Sequence, residues 1–218
     1  MSLNTLPSSL QSVEVPDSLL TRQITEFVRD SETELLFNHS SRVYYFAALS
    51  SVRRGLYIDR ELVYAGAMFH DLGLMARFST PSERFEVDGA NAAKAFLQER
   101  GVDAGDAVHV WTAIALHTTP GITKHMNPLI ALVTAGVEMD VLGIDYGEFD
   151  DAERQETVKR FPRTAVFKDD IIQAFYDGIR HKPNTTFGNV KADVLAEKDA
   201  QFRRGHFCSV IRTSPWAG

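Results

Sequence analysis

Apolar residues recur at three- and four-residue intervals along almost the whole chain, and nowhere do they alternate in a run closed by an Asn-Gly type turn. That pattern argues against a sheet built from hairpins and makes a bundle of helices the architecture to expect. With 218 residues, the chain is long enough for one sizeable core and short for two ordinary domains. We therefore expect one all-α domain over residues 17–205, preceded by a flexible N-terminal segment, 1–16, and followed by an irregular C-terminal tail, 206–218.

Capping residues and breakers set the expected boundaries. Asp17, after Pro16, is placed to cap a helix running to about Arg29. Ser31 or Thr33 can cap a longer helix that stops at Gly55, with Arg53 and Arg54 in its last turn, where cations suit the helix dipole. Asp59 caps a third, "RELVYAGAMFH", for which Gly73 is the natural C-terminal breaker. Residues 75–87 contain Pro81 and show no period, which predicts a loop, and Asp88 then becomes the N-cap of a helix reaching about residue 100. Further helices are expected over about 104–117, from Asn127-Pro128 through "LIALVTAGVEMDVLG", and near 149–160, 168–181 and 191–204.

Composition narrows the classes of partner. A formal net charge of −6 argues against a nucleic-acid footprint. No apolar run reaches the roughly 18 residues that a membrane span needs. The first residues, "MSLNTLPSSLQSVEVP", have neither a basic leader nor an apolar stretch, and one cysteine, Cys208, fits a reducing compartment, so a cytoplasmic location is expected. The expected partner is a small-molecule substrate, with no nucleic acid and no membrane; Tyr44 and Tyr45 on the long second helix would suit a homodimer face.

Four ionisable residues fall on apolar helical faces. His39 lies in line with Leu35, Leu36, Val43 and Phe46, and His70 with Val63, Gly66 and Ala67. His117 lies in line with Val110, Ala113 and Ile114, and Asp140 with Val133, Gly136, Val137 and Ile144. An unpartnered buried carboxylate costs on the order of several kcal/mol, so Asp140 requires an Arg or Lys, a histidinium or a metal ion beside it. Neutral imidazoles and carboxylates together suit Fe, Mn, Co, Ni or Zn.

The order His39, then the adjacent pair His70-Asp71, then Asp140, each on an expected helix, resembles the HD-domain metalloenzymes. Local wording is similar to the cyanamide hydratase branch over about residues 30–190: "NHSSRVYYFA", "FHDLGL", "ERFEVDGANAAKAFL", "AIALHTTPGI" and "FPRTAVFK". The resemblance implies a helical HD-domain bundle with a metal site between helices. It implies one divalent ion, zinc foremost, held by His39, His70, Asp71 and Asp140, and addition of water to the nitrile carbon of cyanamide to give urea.

Such chemistry needs a proton at the nitrile nitrogen and a group to balance developing charge. Beside Asp71, the candidates are Glu83 or Glu86 as a proton shuttle, His117 as an acid or orienting group, and Arg42 as a stabiliser one helical turn from His39. One departure bears on substrate. Many HD phosphohydrolases carry a Lys shortly after the His-Asp pair; here the chain reads Leu72-Gly73-Leu74-Met75-Ala76, and Arg77 is the first cation. That favours a small neutral substrate over the alternative, a nucleotide phosphomonoester. A binuclear site would need further histidines, for which only His109 and His117 are at hand, and a metal-stabilised module that binds without catalysis is the third reading.

Overall fold

The computed structural model describes residues 8–186, 188 and 190–218. Among them every regular element is helical: α1 Ser8–Gln11, α2 Leu19–Arg29, α3 Glu34–Arg53, α4 Arg60–Phe69, α5 Phe85–Glu99, α6 Ala104–Leu116, α7 Pro128–Val137, α8 Asp151–Arg160, α9 Phe167–Ile179, α10 Val190–Lys198 and α11 Phe207–Arg212. The all-α architecture expected from periodicity is the one observed.

The caps follow the local chemistry with small shifts. Ser18, not Asp17, caps α2, because its hydroxyl and that of Thr21 satisfy one another's backbone N–H groups, whereas Asp17 stays exposed and pairs with Arg22. Thr33 caps α3, and the Asp59 carboxylate accepts from Glu61 and Leu62 at the start of α4. Helix α5 begins at Phe85, three residues before the expected start. Asp88 is therefore inside the first turn rather than the N-cap, and it accepts there from the buried Lys182 ammonium at 2.7 Å.

Helix α3 is the axis of the bundle. Fifteen of its twenty residues are buried, so over most of its length it has no solvent face. It packs against α4 and α7, while α5 and α6 pair with each other and close over α4. Two of its buried hydroxyls are satisfied within the helix: Ser41 donates to the Phe37 carbonyl and Ser51 to that of Ala48. The α3–α7 contact is close because Gly136 brings α7 down onto the Val43 carbonyl, a spacing that no side chain at 136 would allow.

Both chain ends depart from expectation. Residues 1–7 of the N-terminal segment lie outside the described residues, but the remainder is not loose. Leu10 and Val13 are buried, and Glu14 receives the Tyr44 hydroxyl on its carbonyl and the Tyr45 hydroxyl on its carboxylate. The same packing buries both tyrosines, so they present no face to a second copy. At the other end the tail is not irregular: α11 buries Ile211, and Trp216 donates from its indole to the Met139 carbonyl at 2.7 Å. Apolar burial at each end outweighs the chain entropy that a free terminus would keep.

Gly73 has a different reason from the one expected. The chain leaves α4 through a 3-10 turn, Leu72–Leu74, and the Gly73 backbone presses on the first turns of α5. A Cβ there would overlap the Phe85 carbonyl and come within 2.8 Å of the Gly89 nitrogen. Gly73→Ala is therefore expected to push α5 away and to destabilise the protein by about 3 kcal/mol, as overpacking against backbone does. A urea midpoint equal to that of the wild type would show that this contact does not hold α5 in place.

Candidate metal centre

Two helices end beside the same point of α3. At the end of α4, His70 follows Phe69, and its ring Nδ1 lies 2.7 Å from the Ala67 carbonyl. At the end of α6, His117 follows Leu116, and its Nδ1 lies 2.6 Å from the Ile114 carbonyl. The last carbonyls of a helix lack intrahelical partners, so each accepts the Nδ1–H of the histidine that ends it. Both rings are thereby fixed with a bare Nε2. His39, in the middle of α3, is fixed in the same sense by Asp140, whose Oδ2 lies 2.7 Å from its Nδ1.

These bare nitrogens converge. His39 Nε2 and His70 Nε2 are 3.1 Å apart, and Asp71 Oδ2 lies 3.6 Å from the first and 3.2 Å from the second. His117 Nε2 stands 3.7 Å from the other Asp71 oxygen. All four side chains are fully buried. Two lone pairs facing each other at 3.1 Å repel unless a cation or a proton lies between them. Both Asp71 oxygens and His117 Nε2 are buried with no hydrogen-bond partner, a costly arrangement for a carboxylate. Two ligands about 2.1 Å from a shared ion lie roughly 3.0–3.4 Å apart in octahedral and tetrahedral sites. The spacing, the bare nitrogens and the orphaned oxygens therefore fit a divalent ion held by His39, His70 and Asp71.

Without the ion a proton partly takes its place. Burial favours neutral His70, yet the adjacent Asp71 carboxylate outweighs it and raises the His70 pKa above its ordinary value. Burial pushes the Asp71 pKa up, but His70, then His39 and His117, hold it below the usual carboxylate range. Burial keeps His39 low and lowers His117 to about 4, so both are neutral near pH 7. An ion held by His39, His70 and Asp71 would displace the proton from His70.

Asp140 sits where α7 widens. After Val137 the backbone makes a π-turn, Glu138–Leu142, closed by Gly143 with φ +67°. One Asp140 oxygen accepts from Arg42 Nε at 2.8 Å and Arg163 Nη1 at 2.9 Å; the other accepts from Arg42 Nη2 at 2.9 Å and faces His39 Nδ1. A carboxylate has about four acceptor positions, and here all are filled. Asp140, expected from sequence to be a fourth ligand, is therefore not among the converging ligand atoms; it orients His39 and fixes its tautomer. Burial raises its pKa, but Arg42 and Arg163 outweigh that and keep it ionised well below the usual range.

A family model described as HD domain matches residues 36–157, more than half of the chain. The chain belongs to the HD-domain family. No curated protein matches the sequence. Members of the family are metal-dependent hydrolases that bind divalent metals, and the matched span carries all three ligand candidates, His39, His70 and Asp71.

The rest of the HD domain separates the expected second set. Arg42 is fully buried and gives its donors to Asp140 and to the Phe161 and Pro162 carbonyls, so it positions Asp140 and cannot reach a substrate. Glu83 is exposed outside α5, whereas Glu86, in the first turn, is buried and accepts from Arg84 at 2.7 Å and from the Thr118 hydroxyl. Burial raises the Glu86 pKa, while Arg84, Thr118 and His117 bring it below the ordinary value. His109, one of the two histidines a second ion would have needed, is exposed and is not among the converging side chains.

Two participants carried no role in the sequence reading. Arg163, in the word "FPRTAVFK", grips both the side chain and the carbonyl of Asp140 and lies between the rings of Phe167 and Trp216, at 3.8 and 4.8 Å. Glu32, just before α3, buries its Oε1 without a partner; burial first, and then the Asp71 charge, hold its pKa well above the carboxylate range. No local pattern marks Glu32, because it precedes the helix whose periodicity exposes His39.

Proposed function

We propose that this HD domain is a metal-dependent hydratase that adds water to a small nitrile-type group, with cyanamide as the candidate substrate and urea as the product. The reading is carried by the cations around the ligand cluster. Arg42 and Arg163 are committed to Asp140, and Arg77, the first cation after the His-Asp pair, is exposed and stacks on Phe78. None of these three guanidiniums is thus aimed at the ligand atoms to hold a phosphate, and Arg84, which lines the neighbouring cavity, is paired with Glu86, which favours a neutral electrophile at the ligand cluster itself. The likeness to the cyanamide hydratase branch supports the same choice.

His39, His70 and Asp71 would hold the ion, which when bound supplies Lewis acidity and a water acidified toward neutral pH. The chain supplies the proton handling. His117, neutral at pH 7 and fixed with a bare Nε2, accepts a proton as the C–O bond forms at the nitrile carbon. One carbon–nitrogen π bond opens onto nitrogen at the same time. The Glu86 carboxylate stabilises the resulting imidazolium, which is acidic enough to return its proton to that nitrogen. A shift of the remaining proton from oxygen to nitrogen then completes urea. Burial of all these groups keeps other acids and bases out.

The test is to load the purified protein with Zn, Fe, Mn, Co or Ni and to assay urea from cyanamide beside phosphate from a panel of nucleoside monophosphates. Urea formation with a silent phosphate panel is the expected result. Phosphate release without urea would move the assignment to a phosphomonoester hydrolase, and retained metal without either product would leave a binding module.

A further inference from the structure

Beyond His117, the Phe85 ring stands edge-on at 5.6 Å, Phe175 stands edge-on to Phe85 at 5.5 Å, and Phe207 follows at 6.1 Å. These three rings form one wall of a cavity of about 630 Å³, which Glu86 and Thr118 also line. The cavity therefore abuts the candidate site through Glu86, whose charge acts on His117, and through Thr118, the residue that follows His117 in sequence. Its size is far beyond cyanamide, a molecule of a few non-hydrogen atoms, and falls in the range of roughly 300–1,000 Å³ that accommodates drug-sized ligands.

The polar part of the lining offers guanidinium donors. Among the described lining residues, Arg84 and Arg204 bring two guanidiniums against one carboxylate, Glu86, which is already held by Arg84 and Thr118. Arg204 gives Nη1 to Asp193 at 3.0 Å, and its side chain remains 56% exposed. Aromatic rings and guanidinium donors lining one cavity are the combination that holds a flat ring bearing a negative group.

Building on the hydratase reading, we propose that this cavity is the specificity pocket of the enzyme and takes a ring-bearing anion whose nitrile-type end reaches His117 and the ligand cluster. The aromatic wall covers the ring, and Arg204 engages the negative group. Cyanamide is then the reactive fragment of the natural substrate rather than the whole of it.

The probe is 4-cyanobenzoate, compared with benzonitrile by calorimetric titration of the full-length, metal-loaded protein. 4-Cyanobenzoate is expected to bind at least tenfold tighter than benzonitrile. Arg204→Ala should remove that advantage, Arg204→Lys should keep part of it, and Phe207→Ala should weaken both ring ligands at least fivefold. Equal binding of the two ligands by the wild type, or titrations unchanged by the Arg204 and Phe207 variants, would overturn the pocket. Urea from cyanamide is measured on the same preparations. Its absence counts against the hydratase reading alone, because the pocket is judged by heat of binding and not by product.

Discussion

Asp71→Ala is expected to abolish metal retention and to lower turnover by roughly 10³-fold or more, since it removes a ligand and the counter-charge of His70 together. Stability should respond as well. In the metal-free chain the Asp71 carboxylate is the counter-charge of His70 and is held below the usual carboxylate range by it, so its removal should lower the stability of the apoprotein at neutral pH. The wild type gains what the ion contributes, about 2.7 kcal/mol at a free concentration a hundred times Kd. For a chain of this length that is a rise in Tm of roughly 5–10 °C. Asp71→Ala should show none of this rise. Thermal scans of both proteins with and without the metal decide the point, and an equal rise in the variant would remove Asp71 from the ligand set.

Asp140→Asn should act the other way, on the fold first. It leaves Arg42 and Arg163 buried without a counter-charge, a change that costs about 3–5 kcal/mol. It also frees the His39 tautomer, which should weaken metal binding by roughly 10–100-fold. Complete loss of the ion would instead make Asp140 a direct ligand. The effect has a pH signature whose sign follows from the depressed pKa of Asp140 in the folded state. In the unfolded chain an Asp titrates near about 3.9, so its contribution is fully present above that pH. It declines as pH falls toward the folded-state value, where the unfolded chain binds the extra proton. The stability gap between wild type and variant, taken from urea melts, should be widest above about pH 4 and narrow below it.

Much of this was legible in the chain. The helical faces of His39, His70, His117 and Asp140 were visible as polar breaks in apolar stripes, and all four are buried. Thr33 and Asp59 were visible as caps because capping is decided within three residues. The choice between Glu83 and Glu86 was not, because it depends on α5 starting at Phe85, and that start is set by the backbone contact with Gly73. The covering of Tyr44 and Tyr45 by Glu14 was hidden for a related reason: periodicity shows that a residue is apolar, not which segment lies over it.

What the sequence determined by itself, then, was most of the helices, the Thr33 and Asp59 caps and the adjacency of His70 and Asp71, all products of interactions within a few residues. Only the tertiary structure decided what each charge does. Asp140 is filled by Arg42 from 98 positions away, by His39 from 101 and by Arg163 from 23. Those contacts occupy its oxygens and let it hold His39 in its orientation. A carboxylate's role depends on which donors reach its lone pairs, and the packing of α3, the π-turn after α7 and the segment before α9 brings those donors there.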